Sequence, residues 1–475
     1  MMGLARLAAP IACVGFAVLL LARTRENRIA GLGYAAVGTA LLVAALPSPG
    51  ATQLALAVVV ILGLGWVLSL AFRRESWLVA YLTLAAVPVR IHFLHHHILL
   101  PLFIIASGAA FNMLRELIAG DVRSREFGRA TKPLALYLLW IGISMTWTTD
   151  IRTGAIDLLT SFVPFTIIAL SVARLPWQPS RLKILYGELV AMALIIAGVG
   201  FYQYETRQIF ENAKLEVGNQ YAALFRVNSV FYDPSIYGRF LVVALVATAV
   251  VIVRAKSLRV GLAALAFAVV AFLGLLVSFS QSSFSALFIA IFCLCAFLWR
   301  WKAIALLVVT VMIVVAGAVS APKLLHSLRH NGVKEINSLT SGRGSLIYNG
   351  IRIAKRHPVN GVGLGGFSAS YLKLTHTKHV KKSASHNTPV TVVAEGGVIG
   401  LALFLWLMIA FGLAAFRRID RTLAGELGLA AGLLLVAIFV HANSYNDFFE
   451  DPTTWLVFGL IGLSATPRVR RTSAA

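Results

Sequence analysis

Residues 240–278 read FLVVALVATAVVIVRAKSLRVGLAALAFAVVAFLGLLVS, which is two apolar runs separated by a short gap with three basic residues. A third run, 282–299, follows a gap that contains no lysine or arginine, and the next gap is basic again. Each run is close to the length of about 20 residues that a helix needs to cross a bilayer. The stretch therefore predicts consecutive membrane-spanning helices whose connecting gaps alternate between basic and neutral.

The same pattern extends over the whole chain of 475 residues, of which 59% are hydrophobic and only 13% are charged. Soluble globular proteins are less apolar and more charged than this. We predict an all-α, polytopic transmembrane helical bundle with about 14 spans. The apolar runs lie at 4–22, 29–47, 51–72, 77–89, 98–114, 133–148, 153–173, 184–203, 236–253, 260–278, 282–299, 303–320, 387–416, 423–442 and 453–466.

The chain is strongly basic, with 42 lysines and arginines against 19 acidic residues. In a soluble protein this would favour a nucleic-acid partner. Here most of the basic residues lie in alternate gaps between apolar runs, where they set the orientation in the membrane. We expect membrane lipids as partners, no nucleic acid, basic gaps in the cytoplasm and the N-terminus outside. Cys13, Cys293 and Cys295 lie in apolar runs, which predicts packing instead of a disulfide or a zinc site.

The runs divide the chain into five parts, two of which are long loops on the predicted outer side. The loop 321–385 is also basic, but long loops are exempt from the orientation rule. Long loops between tightly connected helices are often functional, so we expect short helices and the catalytic residues in this one. The five parts are N-terminal transmembrane helices 1–203, a first extracytoplasmic loop 204–237, central transmembrane helices 238–320, the large extracytoplasmic loop 321–385, and C-terminal transmembrane helices 386–475.

An amphipathic helix is predicted in the large loop, from about Arg343 to the residue before Pro358. Its apolar residues recur at helical spacing, and they are Leu346, Ile347, Ile351 and Ala354. Arg343 would lie at the N-terminus of this helix, where backbone N–H groups favour an anion. A planar guanidinium can bind a phosphate or diphosphate through two hydrogen bonds. The alternative is an interfacial helix whose basic face rests on anionic lipid headgroups.

Two other patterns resemble ligand sites but are better explained by structure. Residues 361–366 match the glycine spacing of a dinucleotide-binding loop, yet no strand precedes them, so a tight turn between two loop helices is predicted. The histidines at 92, 95, 96 and 97 are irregularly spaced, without a nearby carboxylate, which favours an interfacial cluster over a metal site. We expect neither a metal nor another cofactor.

A histidine lies at the predicted outer end of a span, in the stretch Ser385–Pro389. Either Asn387 or Thr388 is expected to cap the helix that follows. His386 could accept a proton from a substrate hydroxyl near neutral pH. Glu395 lies about two turns deeper, where a carboxylate is costly unless it is paired or functional. The alternatives are a merely capping histidine and a glutamate held by an arginine of another span.

Further arginines flank the first extracytoplasmic loop. Arg226 precedes a turn at Asp233–Pro234, Arg239 enters the next span, and Arg90 follows Pro88 in apolar surroundings. Together, Arg90, Arg226, Arg343 and His386 form an outward-facing basic constellation without a partnering acidic pair. Metal-dependent sugar transfer needs acidic ligands for its cation, so a metal-independent site whose arginines stabilise a leaving diphosphate is predicted.

Three segments together resemble the bacterial O-antigen ligase and polymerase family, whose members act on undecaprenyl-diphosphate-linked glycans at the outer face of the inner membrane. One segment is Arg226–Arg239, similar to the arginine, aromatic and Asp-Pro stretch of the family. The second combines Ser341–Arg343 with His357–Phe367, and the third combines Ser385–Asn387 with Glu395–Leu401. With the spans between them they cover roughly residues 200 to 420.

The resemblance implies a role for each of the matching residues. Arg226 and Arg343 would bind the diphosphate, Arg90 would assist them, and His386 would act as the general base. Transfer would invert the anomeric centre, from an undecaprenyl-diphosphate-linked donor to a glycan or lipid acceptor, at a site facing the periplasm or exterior. The supporting residues would be Glu395, Asn387 and Arg239.

The chain departs from the family pattern at residues 278–282, Ser-Phe-Ser-Gln-Ser, where many relatives have Ser-Arg. The large loop is also rich in lysines, which suggests an acidic glycan or acceptor, or contact with lipid. These lysines are Lys373, Lys378, Lys381 and Lys382.

Several functions remain open at the level of sequence. The motifs do not separate a ligase from a polymerase or from an oligosaccharyltransferase that glycosylates proteins. A transporter or flippase of the same lipid would predict paired half-chain repeats and broken helices near the midplane, and the sequence shows neither. A structural subunit of an envelope assembly would tolerate alanine at residues 90, 226, 343 and 386.

Overall fold

The computed structural model describes residues 2–46, 51–93, 96–120, 126–210, 212–221, 224–299, 343–376 and 384–465. Helices dominate these ranges, and a hairpin of two three-residue strands, β1 (Ile91–Phe93) and β2 (His96–Ile98), interrupts them. The predicted all-α, polytopic helical class is confirmed.

The first half of the chain contributes nine α-helices. A π-helical turn over Leu158–Phe162 makes the seventh and eighth into one continuous rod. The helices are α1 (Met2–Leu21), α2 (Arg25–Ala45), α3 (Ala51–Arg74), α4 (Leu78–Ala86), α5 (Leu100–Ile118), α6 (Thr131–Ser144), α7 (Ile151–Asp157), α8 (Val163–Ala173) and α9 (Pro179–Thr206).

The second half contributes nine more within the described ranges, two of them short helices of the large loop. These two, α14 (Arg343–Arg356) and α15 (Phe367–Thr375), agree with the expectation of short helices there. The others are α10 (Ala213–Tyr221), α11 (Pro234–Arg254), α12 (Leu258–Ser278), α13 (Gln281–Trp299), α16 (Thr388–Ala415), α17 (Leu423–Ala442) and α18 (Pro452–Ala465).

Eleven of the described helices are long and apolar enough to cross a membrane. Three of the remaining predicted runs form shorter helices: run 77–89 gives the 9-residue α4, and runs 133–148 and 453–466 give the 14-residue α6 and α18. Run 303–320 lies outside the described residues. The short α18 is nevertheless central, because every residue from Pro452 to Leu463 is buried.

The spanning helix α16 is broken near its N-terminal end, which the sequence analysis did not predict. Gly397 has φ 65° and ψ −166°, a conformation that glycine adopts without strain. The break leaves backbone groups of α16 without helical partners, and the loop between α14 and α15 supplies them. The amides of Val362 and Gly363 donate to the carbonyls of Ala394 and Glu395, at 3.0 and 2.8 Å.

The glycines of residues 361–366 make this close approach sterically feasible. Gly361 and Gly363 have positive φ, and a Cβ atom on Gly361 would lie 2.3 Å from the Glu395 backbone. A Cβ atom on Gly363 would lie 2.4 Å from the Cα of Thr148, in the loop between α6 and α7. The predicted tight turn between two loop helices is confirmed, and it joins three parts of the chain.

Candidate active site

Arg226 is held in the loop between α10 and α11 by contacts to its backbone and to its side chain. Its amide donates to Asn219 Oδ1 at 3.1 Å, and Asn219 Nδ2 donates to its carbonyl at 2.9 Å. Its Nε donates to the carbonyl of Ser278 at 3.3 Å, so the half-buried guanidinium lies at the end of α12. The segment that departs from the family pattern at Ser278 is therefore a direct neighbour of Arg226.

Arg343 is the first described residue of α14, as predicted. The helix packs against the start of α16 through Gly350, where a Cβ atom would lie 2.6 Å from Val390 Cγ1. Its inward face includes the buried Ile353 and Ala354. Ile351 was assigned to the apolar face by its spacing, and this was wrong because its side chain is 42% exposed.

His386 lies immediately before the cap of α16 in a left-handed backbone conformation, with φ 54°. Asn387 is the N-cap, and its Oδ1 accepts from the amide of Val390 at 3.1 Å. Asn387 Nδ2 also donates to the carbonyl of Asn443 at 3.1 Å, which connects the histidine segment to the end of α17. The alternative in which His386 itself caps the helix is thereby excluded.

Arg226, Arg343 and His386 come from three distant segments, and the charge of Arg343 acts on both of the others. Burial lowers the pKa of the His386 imidazole, and the positive charge of Arg343 lowers it further. Burial also lowers the pKa of Arg226, and Arg343 again acts in the same direction. A histidine with a lowered pKa is neutral near pH 7, which is the form that accepts a proton.

Asp233 adds a negative charge that acts on this group, and a single carboxylate is not the acidic pair that the sequence lacks. Its Oδ1 accepts from the amide of Ser235 at 2.6 Å, so it caps α11. Its negative charge raises the pKa of both His386 and Arg226, against the effect of Arg343. The sequence showed Asp233 only as part of a turn.

Arg239 is paired with two carboxylates that lie far from it in the sequence. Its Nη1 donates to Asp447, and its Nε lies 3.1 Å from Asp451 Oδ2. Arg90, which is exposed, and Arg239, which is buried, line one narrow cleft together with Asp451. Arg239 therefore makes structural ion pairs, and the role of Arg90 in the site stays a prediction.

Glu395 is held by backbone groups, and in the described part of the chain no arginine forms an ion pair with it. Its Oε1 accepts from the amide of Phe367, the first residue of α15, at 3.2 Å. Because the carbonyl of Glu395 also accepts from Gly363, this residue joins the broken helix to the large loop through both its backbone and its side chain.

Two residues near His386 were missed by the sequence analysis. The ring of Tyr445 lies 6.1 Å from the ring of His386 and 5.9 Å from that of His441, measured between centroids. His441 is fully buried, and its Nε2 lies 3.1 Å from the carbonyl oxygen of Ser235. Neither residue belongs to a local motif, and only their position in the last turn of a span or just after it could have indicated them.

No cluster of three or more potential metal ligands occurs in the described residues. The metal-independent site, like the absence of other cofactors, stays a prediction. The interpretation of the histidines at 92–97 as an interfacial cluster also stays a prediction. His92, His96 and His97 lie on the two strands. His95, Lys378, Lys381 and Lys382 lie outside the described residues.

Comparison with known families gives one match. Residues 266–405 match the family model described as O-antigen ligase, a range that includes Arg343, His386 and Glu395. The match supports the assignment to the O-antigen ligase and polymerase family that the motifs predicted. No curated protein matches the chain.

Proposed function

We propose that this chain, through its O-antigen ligase domain, transfers a glycan from undecaprenyl diphosphate to an acceptor hydroxyl at the outer face of the inner membrane. The family match supports a glycosyltransferase-like enzyme of polysaccharide biosynthesis. The observation that carries the finer proposal is the position of Arg343, whose charge acts on both Arg226 and His386. In this proposal Arg226 and Arg343 are the two cations for the diphosphate, and His386 is the neutral base.

The arginines would bind and stabilise the donor. When the bond between the anomeric carbon and the diphosphate oxygen breaks, negative charge develops on the leaving undecaprenyl diphosphate. Guanidinium groups that are already in place stabilise that charge without reorganisation. Arg226 and Arg343 take this role, and Arg90, exposed at the neighbouring cleft, assists them.

His386 would act on the acceptor. Its neutral imidazole takes the proton of the acceptor hydroxyl while the oxygen attacks the anomeric carbon from the side opposite the diphosphate. The products are the glycosylated acceptor with an inverted anomeric centre, undecaprenyl diphosphate and a protonated histidine that later loses its proton to water. A base of this kind contributes about 10²- to 10⁴-fold to a rate.

The proposal is tested by reconstituting the purified protein in liposomes with an undecaprenyl-diphosphate-linked glycan, with and without candidate acceptors. Lengthening of the lipid-linked glycan alone would indicate a polymerase, and product only after addition of an acceptor would indicate a ligase. His386→Ala should abolish transfer while the protein remains monodisperse and still binds the lipid. Normal product formation by this variant would contradict the assignment of the general base.

A transporter or flippase of the same lipid is the second candidate, and the broken helix α16 favours it, because discontinuous spans form the substrate sites of transporters. Here, however, the carbonyls released by the break accept from Val362 and Gly363, which leaves them unavailable to a passenger. Movement of a fluorescent lipid-linked glycan between leaflets, unaffected by His386→Ala, would favour the flippase.

A further inference from the structure

The segment between α17 and α18, residues 443–451, lies next to His386. Tyr445 is the residue of this segment that faces the imidazole, with its ring at an interplanar angle of 68° to that of His386. Such edge-to-face contacts are favourable between aromatic rings and restrict their orientation. The segment matches none of the motifs that identify the proposed active site.

His386 lacks the partner that usually orients a catalytic base. In nucleophile–base pairs a third group, commonly a carboxylate, binds the second ring nitrogen of the histidine and fixes the imidazole. The Nδ1 atom of His386 is buried and has no hydrogen-bond partner among the described residues. Among the described residues no hydrogen bond at Nδ1 fixes the ring, and the edge-to-face contact with Tyr445 is an interaction that can orient it.

Tyr445 is itself held in place from two sides. Asn387 Nδ2, next to His386, donates to the carbonyl of Asn443 at 3.1 Å. On the other side, Arg239 of α11 forms ion pairs with Asp447 and Asp451. The short segment is thus fixed relative to both helices that border the site, and the Tyr445 ring has a defined position.

Charge does not explain the contact between Tyr445 and His386. Burial raises the pKa of the Tyr445 phenol, and the negative charges of Asp233 and Asp447 raise it further. The side chain therefore stays neutral and protonated at physiological pH, so it cannot act as an anionic partner of the imidazole. The ring is what contacts His386.

We propose that Tyr445 is the positioning residue of His386, whose aromatic ring replaces the usual carboxylate and holds the imidazole with Nε2 towards the acceptor. This inference rests on the proposed function. It assigns the ring of Tyr445, and not its hydroxyl, to the orientation of the base.

The test compares Tyr445→Phe, which keeps the ring, with Tyr445→Leu, which removes it, in the liposome transfer assay. Tyr445→Leu should lower kcat by about 10²-fold, the lower end of what a positioned base contributes, with little change in KM. The acid limb of kcat/KM should also move to higher pH, because a less buried His386 has a higher pKa. Tyr445→Phe should retain the wild-type kcat and acid limb.

Tyr221→Leu is the matched control, because Tyr221 lies at the end of α10, in the first extracytoplasmic loop, and is 86% exposed. The inference is overturned if Tyr445→Leu retains the wild-type kcat, if its kcat falls without movement of the acid limb, or if Tyr445→Phe loses as much as Tyr445→Leu. If Tyr445→Leu is not monodisperse, Tyr445→Met replaces it, and the Tyr445→Phe outcome stands by itself. Lack of transfer by the wild type, or full transfer by His386→Ala, would instead contradict the proposed function.

Discussion

The two ends of the helical bundle use buried arginines in opposite ways. At the end marked by the basic gaps, Arg28 and Arg174 share Glu126, with Arg174 Nη1 at 2.9 Å from its Oε1, and Arg174 also pairs with Glu116. We call these four residues the inner network. At the opposite end, Arg226 and Arg343 are half-buried, and within the described ranges neither forms a salt bridge.

This difference distinguishes arginines that stabilise the fold from arginines that are available to a ligand. Removing a charge from water is unfavourable unless an opposite charge replaces the lost hydration. The inner network meets that cost within the protein. Arg226 forms no salt bridge among the described residues, and the positive charge of Arg343 opposes the negative charge of Asp233 on it, so an anion from outside the chain would stabilise both arginines.

The largest effect is expected from breaking the inner network with Glu126→Gln. This change leaves Arg28 and Arg174 buried with less compensating charge, and breaking a buried pair costs about 3–5 kcal/mol. We expect a large loss of thermal stability in detergent, measured by fluorescence or by aggregation on heating, while the remaining folded protein transfers glycan at the wild-type rate.

Glu75→Gln is the control for the inner network. Glu75 pairs with Arg181, but both side chains are about a third exposed, and exposed pairs contribute at most about 1 kcal/mol. Equal losses of stability in the two variants would contradict the distinction between a buried and an exposed network. A fall in the transfer rate of folded Glu126→Gln protein would contradict its purely structural role.

An intermediate effect, on activity instead of stability, is expected from Arg343→Lys. Lysine keeps the positive charge but not the planar pair of donors that matches a diphosphate. Losing such a donor to a developing negative charge typically costs about 10²-fold in rate. The transfer assay should show this loss with unchanged thermal stability. Arg352→Lys, on the exposed face of the same helix, should leave both the rate and the stability unchanged. Equal activity of lysine at position 343 would show that charge alone suffices.

The sequence was sufficient for the features that depend on neighbouring residues. Apolar runs predicted the spanning helices, and local motifs selected Arg226, Arg343 and His386, whose roles stay predictions. The sequence was insufficient where a residue acts through distant contacts. Arg239 reads as another cation until Asp447, more than 200 residues later, is seen to pair with it.

The break in α16 shows the same limit. Gly396 and Gly397 lie within a long apolar run, and helices in membranes tolerate glycine. The conformation of Gly397 is determined by the loop that fills the break: the carbonyl of Pro358 accepts from the amide of Val398 at 2.8 Å. No pattern within either segment specifies this pairing.

The smallest effect, but one with a definite direction, is expected from Asp233→Asn, next to the outer loop arginine Arg226. Asparagine still caps α11, so the fold is retained, but the negative charge that raises the pKa of His386 is lost. Since the neutral imidazole is the active form, the acid limb of kcat/KM should move to lower pH. The KM for the anionic donor should also fall, because a carboxylate next to Arg226 repels a diphosphate. Asp150→Asn, at the N-cap of α7, should leave both quantities unchanged. Movement of the acid limb to higher pH would mean that Asp233 affects His386 by supporting the local structure and not by its charge. It would also mean that Arg226 and Arg343 have closer acidic neighbours than their lack of salt bridges indicates.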